Sequence, residues 1–182
     1  MTVNLTNSSL IACICEGGAE IAIMDILIDN GLLKFSREQL IGEQVIPRCS
    51  VKDFQRRYLR VAYGEEGITI LRVIDSRAEE FKLGKAYSCQ VKEIINVITA
   101  PEIEMLIIAS QKKYDEFCRS GIKKPSDYCK NVLKMKDVKD STYIKGYFAD
   151  PHYLVESIKE YHRVHKQKNN EASLYDLLRE NV

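Results

Sequence analysis

The fold is decided at residues 68–74, which read ITILRVI. This run is β-branched and almost continuously apolar, which is the pattern of a strand covered on both faces in a parallel sheet. Residues 10–15 (LIACIC) and 94–98 (IINVI) are two further apolar runs of strand length. Helical apolar spacing follows at residues 19–28 and 103–109. Strands separated by helices favour a parallel sheet with right-handed crossovers, so the sequence predicts an α/β fold.

Helices dominate the predicted structure elsewhere in the chain. Ser50 precedes an amphipathic stretch at residues 51–61 and is placed to cap it. After Lys112 the periodicity predicts helices at residues 114–119, 125–133, 151–164 and 174–179, which we expect to pack around the sheet. Because the sequence contains no internal repeat and no Pro/Ser-rich linker, we expect residues 1–182 to form a single domain.

The composition is that of a soluble globular protein. Of 182 residues, 45% are apolar and 29% are charged, and the net charge of +1 supplies no overall attraction for nucleic acid. The N-terminus has no basic start before an apolar run, and no apolar stretch reaches the length of a membrane span. We therefore expect a cytoplasmic protein with no membrane partner.

The six cysteines lack the CxxC spacing of zinc sites, so we expect most of them to be reduced core residues. Cys13 and Cys15 alternate within the first apolar run, which puts both on one face of a strand.

Acidic residues follow each of the three predicted strands. Glu16 comes after the first, Asp75 after the second, and Glu102 and Glu104 after the third. The carboxyl ends of parallel strands meet at one edge of a sheet, where α/β proteins place their ligand sites. Carboxylate oxygens are the ligands that Mg²⁺ prefers, and the ion can orient a phosphodiester and activate a water. The sequence therefore predicts a Mg²⁺ or Mn²⁺ site at this edge.

Three of these four acids also have a purely structural explanation. Thr99 and Glu102 have the spacing of a capping box, and we favour that role for Glu102. Glu104 lies among apolar residues and would be costly to bury without a partner, which makes it the better ligand candidate. Asp75 also suits a turn, and Glu16 suits the positive end of a helix.

Three short motifs carry a resemblance to the Toprim superfamily. Cys15-Glu16-Gly17 followed by Glu20 looks like the glutamate-glycine turn that opens Toprim domains. The strand ending in Asp75 is similar to the second Toprim element, and residues 101–106 (PEIEML) resemble the glutamate-bearing segment of Toprim-like proteins associated with phage defence.

The resemblance covers residues 8–110 and leaves a helical C-terminal extension, residues 111–182. It implies a Rossmann-like sheet and metal binding by Glu16, Asp75 and Glu104. The activity implied is Mg²⁺-dependent cleavage of DNA or RNA, in a defence system that includes a partner protein.

One departure from the family pattern leaves two alternatives open. The second element is usually Asp-x-Asp, whereas here it reads Asp75-Ser76-Arg77. Arg77 could hold a substrate phosphate through its bidentate fork or neutralise the empty site, with Glu79 or Glu104 replacing the missing ligand. The alternative is a catalytically inactive Toprim-like interaction or regulatory subunit.

Lysine residues are concentrated late in the chain. A nucleic-acid backbone contact and an ordinary solvated helix face both explain the lysines, which are Lys123, Lys124, Lys130, Lys134, Lys136, Lys139 and Lys145.

The histidines, His152, His162 and His165, lack metal-ligand spacing and are expected at the surface. The sequence does not fix the oligomeric state, and a homo-oligomer is compatible with it.

Overall fold

The computed structural model describes residues 3, 5, 10–64, 67–165, 168 and 171–182. Residues 8 and 9 of the predicted core lie outside this set. Four parallel strands form one sheet in the order β2-β1-β3-β4. Their bounds are Ile11–Cys15 (β1), Ile46–Pro47 (β2), Ile68–Ile74 (β3) and Val91–Ile98 (β4). The prediction of an α/β fold with a Rossmann-like parallel sheet is confirmed.

Nine α-helices accompany the sheet within the described residues: Gly18–Asp29 (α1), Val51–Tyr58 (α2), Lys85–Ser88 (α3), Met105–Ser110 (α4), Tyr114–Arg119 (α5), Pro125–Asn131 (α6), Ser141–Tyr147 (α7), Pro151–Val164 (α8) and Leu174–Leu177 (α9). Two short 3₁₀ helices cover Arg37–Gln39 and Ile41–Glu43. The predicted cap of α2 is present, since the Asp53 N–H donates to Ser50 Oγ over 3.1 Å. None of these helices is both long and apolar enough to cross a membrane.

The two faces of the sheet pack into two separate apolar clusters. Cys13 and Cys15 share the larger cluster with residues of α1 and α4, which confirms that they lie on one face of β1. Ala12 and Ile14 point to the other face, where Phe54 of α2 covers them. Because both faces are covered, β1 and β3 are buried along their whole length.

The C-terminal helices pack around the sheet, as predicted. α8 packs against α4, and α7 packs against α1. Ala172 also contacts the edge strand, since its carbonyl oxygen accepts a hydrogen bond from the Ile98 N–H over 2.8 Å. The C-terminal segment therefore closes over the carboxyl end of β4, beside the predicted site.

The capping box predicted at Thr99 and Glu102 is wrong. The helix begins only at Met105, after two turns of chain and a cis peptide bond between Ala100 and Pro101, so Thr99 does not precede a helical turn. The Glu102 carboxylate instead accepts hydrogen bonds from the Ser126 N–H and Lys139 Nζ.

Candidate active site at the carboxyl edge of the sheet

Five carboxylates line one pocket at the carboxyl edge of the sheet. They are Glu16, Glu20, Asp75, Glu102 and Glu104, and Lys139 lines the pocket with them. The pocket has a cavity volume of about 140 Å³. One water needs about 10 to 15 Å³ by this measure, so the pocket has room for a cation with its waters. Glu16, Asp75 and Glu104, each of which follows a strand in the sequence, therefore line the same pocket.

Glu16 is fixed by contacts to two other segments. The ladder continues one residue past β1, because the Glu16 N–H donates to the Val73 carbonyl over 3.1 Å. Its Oε2 accepts the Asp75 N–H over 2.9 Å, and its Oε1 accepts Arg48 Nη1 over 2.5 Å. Glu16 therefore ties the ends of β1 and β3 together and faces a cation even without a metal.

Arg48 belongs to a chain of alternating charges. Its Nη2 donates to Glu79 Oε2 over 2.7 Å, and the other Glu79 oxygen pairs with Arg72. Arg72 is only 2% exposed and also lies over the Phe81 ring, 4.8 Å from its centroid. This buried anchor holds Glu79, which in turn positions the half-exposed Arg48 against Glu16.

Glu20 occupies the start of α1. Its side chain is folded back so closely that a Cβ on Gly17 would lie 2.9 Å from Glu20 Oε2. Burial raises the pKa of Glu20, hydrogen bonds from the Glu20 and Gly17 amides lower it, and the charges of Glu16 and Asp75 raise it, for a net rise. A side chain at position 17 would therefore require the end of the Glu20 side chain to move.

Glu102 is paired with a lysine on the wall of the pocket. Burial alone would raise its pKa, but its hydrogen bonds to Ser126 and to Lys139, 3.0 Å away, outweigh burial and lower it. For Lys139 the effect of burial has the opposite sign, because burial disfavours the charged ammonium and lowers its pKa. The hydrogen bond to Glu102 and the charges of Glu104, Glu102 and Glu20 outweigh burial, so the pKa of Lys139 is raised overall. At neutral pH this pair is an ion pair on the wall of the pocket.

Glu104 is the most perturbed of the five acids. Its residue is 3% exposed, and burial raises the pKa of the carboxyl from 4.5 to about 7. Asp75 shows the same tendency, because burial, a hydrogen bond between the Asp75 and Glu16 carboxyl groups, and the charges of Glu16 and Glu102 raise its pKa. Like charges that are crowded in a partly buried pocket favour either proton uptake or a bound cation.

The donor chemistry suits Mg²⁺ or Mn²⁺, which take hard oxygen ligands and are commonly held through one or two carboxylates plus waters. Glu16 and Asp75, whose backbone N–H donates to Glu16 Oε2 over 2.9 Å, supply such a pair. Among the described residues no three His, Cys, Asp or Glu side chains surround a single point closely enough to hold a metal ion together. A site here therefore uses two direct carboxylates, or a rotation of Glu104 toward them.

Arg77 does not line the acidic pocket. Its Nε donates to Glu171 Oε1 over 2.7 Å, and its side chain lines a neighbouring cavity between β4, α4, α8 and α9. Glu102 lines both spaces, so the two adjoin. The cation in the Asp-Ser-Arg element thus lies beside the acidic pocket rather than within it.

The lysine-rich segment is divided by the fold. Lys130, Lys136 and Lys139 line an open hollow that shares Lys139 with the acidic pocket, and Asp127, Asp137 and Asp140 line it too. Lys145 pairs instead with Asp25 over 3.3 Å.

Arg48 is a site residue that was not predicted from the sequence. Its position after a strand would have indicated it, since it follows β2, but a two-residue strand leaves no periodicity to detect. His152 and His162 are exposed as expected, whereas His165 is half-buried and stacks on Tyr161.

Comparison with protein-family models, with curated proteins and with solved structures found no match to this chain. The Toprim resemblance rests on the three sequence motifs and stays a prediction.

Proposed function

We propose that this protein is a Mg²⁺- or Mn²⁺-dependent phosphodiesterase that cleaves DNA or RNA, in the manner its Toprim-like motifs imply. The observation that carries the proposal is the convergence of Glu16, Asp75 and Glu104 on one pocket at the carboxyl edge of a parallel sheet. Carboxylates from separate strand ends are otherwise a cost to the fold, because they crowd like charges.

Glu16 and Asp75 would hold the ion, and Glu104, which lines the same pocket, would add a third carboxylate after rotation of its side chain. When bound, the metal polarises a phosphoryl oxygen and lowers the pKa of an attacking water. Lys139 neutralises Glu102 and so keeps the wall from repelling an approaching phosphate. Lys130 and Lys136, in the adjoining hollow, are placed to contact the nucleic-acid backbone beyond the site.

A cleavage assay tests the proposal. The full chain is incubated with supercoiled plasmid, single-stranded DNA and tRNA, in Mn²⁺ or Mg²⁺ and in EDTA. We expect metal-dependent cleavage of at least one substrate and its loss in Glu16→Gln and Asp75→Asn. Glu156→Gln, an exposed Glu on α8, is the matched control and should cleave like the wild type. Equal cleavage by all four proteins would refute the assigned roles.

A second candidate function is that of a catalytically inactive, Toprim-like interaction or regulatory subunit that binds a partner protein. The observation that favours it is that Arg48 and Lys139 already pair with Glu16 and Glu102, as in a site neutralised without a metal. Metal binding separates the two functions. A protein that binds neither ion and cleaves no substrate fits the second function alone.

A further inference from the structure

One strongly basic segment lies beside the proposed site. Five of the 27 Lys and Arg residues, but only one of the 26 acids, lie in residues 48–60. The rest of the chain is therefore acidic overall. This segment contains Arg48, which pairs with Glu16, and the helix α2. A local excess of cations attracts a polyanion even when the net charge of the protein is only +1.

The cations of α2 project from a helix that is firmly packed. Phe54 and Leu59 are 0% and 1% exposed and hold the segment against the sheet. The outer side carries four exposed cations, which we call the basic α2 face: Lys52, Arg56, Arg57 and Arg60. A surface of this kind presents its charges to a partner from a fixed position.

The basic α2 face is neutralised at one position. Arg56 pairs with Asp53, whereas the other three cations of the face make no ion pair within the described part of the chain. Lys52 and Arg56 also lie one helical turn apart, where like charges destabilise a helix. A bound polyanion would remove this repulsion.

Arg48 connects the basic α2 face to the acidic pocket. It lies two residues before Ser50, which caps α2, and its Nη1 lies 2.5 Å from Glu16 Oε1. Burial raises the pKa of the Cys49 thiol and the Arg57 charge lowers it, so Arg57 lies close to the residue that follows Arg48. The cations therefore continue from α2 to the wall of the acidic pocket.

The order of the strands puts the acids between two cations. Arg48 follows β2, Glu16 follows β1 and Asp75 follows β3, while Glu102, beyond β4, pairs with Lys139. β2 and β4 are three strand spacings of about 4.8 Å apart, or about 14 Å. This distance equals the rise of about four nucleotides, at about 3.4 Å each. A nucleic-acid strand that arrives along α2 therefore crosses the acidic pocket before it reaches Lys139.

We propose that the basic α2 face and Arg48 form the surface that binds the backbone of a nucleic acid and leads one strand into the acidic pocket. The inference rests on the proposed function and deepens it by assigning the surface that binds the substrate. Four of the five cations are arginines, whose planar forks bind two phosphate oxygens at once. Because the contacts are to phosphate, binding does not depend on base sequence.

Binding in EDTA tests this surface independently of cleavage. The full chain is titrated into a fluorescein-labelled oligonucleotide, single-stranded or duplex, and anisotropy is followed at several salt concentrations. A phosphate contact on a single strand contributes about 0.7 to the slope of log affinity against log salt concentration. The double variant Arg57→Gln, Arg60→Gln should therefore have a slope shallower by about 1.4. If the two proteins bind equally at about 1 M salt, this slope corresponds to about 25-fold weaker binding at about 0.1 M.

A second double variant controls for total charge. Lys112→Gln, Arg119→Gln removes the same charge from two exposed positions elsewhere and should bind like the wild type. Because all four positions are exposed, neither double variant should change the melting temperature.

The possible outcomes separate the surface from the proposed chemistry. No binding by the wild type, equal slopes for the wild type and the Arg57 and Arg60 variant, or the same loss in the control would overturn the surface, even if metal-dependent cleavage is found. Displacement of the oligonucleotide by polyglutamate as readily as by unlabelled DNA of equal charge would overturn nucleic acid as the partner. Binding that depends on Arg57 and Arg60, in a protein that cleaves no substrate, would support the surface and count against the phosphodiesterase.

Discussion

Glu104→Gln should stabilise the metal-free protein at high pH and leave it unchanged at low pH. Burial raises the pKa of Glu104 from 4.5 to about 7, so the folded protein holds this proton more tightly than the unfolded chain does. Below pH 4.5 the carboxyl is neutral in both states and costs nothing. As pH rises from 4.5 through 7 the unfolded chain loses its proton first, and stability falls.

The size of the effect follows from that pKa difference. At about 1.36 kcal/mol per pKa unit, the rise from 4.5 to about 7 corresponds to about 3 kcal/mol of stability lost above pH 8. Glutamine is nearly isosteric and does not ionise, so the variant should recover about this amount at pH 8.

Urea unfolding in EDTA at pH 4 and at pH 8 measures the change in stability on each side of this range, with the exposed Glu156→Gln as control. If Glu104→Gln raised the free energy of unfolding equally at the two pH values, or did not raise it at pH 8, the pKa of Glu104 would not be raised by folding.

Two further predictions concern the neighbours of the acids. Arg48→Gln should raise Mn²⁺ affinity about 2- to 5-fold by calorimetry, because the half-exposed guanidinium competes with the ion for Glu16 Oε1. Arg56→Gln, at an exposed Arg paired with Asp53, should leave the affinity unchanged, and a weaker affinity in Arg48→Gln would contradict the competition. Gly17→Ala should change the free energy of unfolding by less than about 0.5 kcal/mol, because its Cβ displaces only the end of the flexible Glu20 side chain, and a larger loss would show that this carboxylate stabilises the start of α1. Gly18→Ala, whose Cβ would meet its nearest neighbour at 3.6 Å, should not destabilise the protein in the same urea experiment.

The part of the site that could be predicted is the part that strand ends determine. A buried parallel strand has an unmistakable apolar run, and an acid that follows it must reach the carboxyl edge of the sheet. Glu16, Asp75 and Glu104 therefore meet around one pocket, although they are far apart in sequence. The helices with clear periodicity were also placed well, and α5 and α8 have the predicted bounds.

What could not be predicted depends on contacts between segments without a pattern. Arg72 lies within an apolar strand, and its buried guanidinium is held by Glu79, by Asn96 of the neighbouring strand and by the Phe81 ring. Thr99 and Glu102 have the letters of a capping box, but the turns that delay α4 to Met105 send Glu102 to Ser126 instead. The local spacing of residues does not predict where Arg72 is buried or where α4 begins, because contacts between distant segments decide both.

Metal binding by the purified protein is the decisive measurement for the acidic pocket. Mn²⁺ and Mg²⁺ are titrated at pH 8 by calorimetry, and the melting temperature is followed in parallel. A site formed by Glu16 and Asp75 predicts saturable binding, with a stabilisation of about 2.7 kcal/mol at 100 times the dissociation constant. It also predicts loss of binding and of the melting shift in Glu16→Gln and Asp75→Asn. No binding by the wild type, or equal binding by both variants, would contradict a metal site at these strand ends.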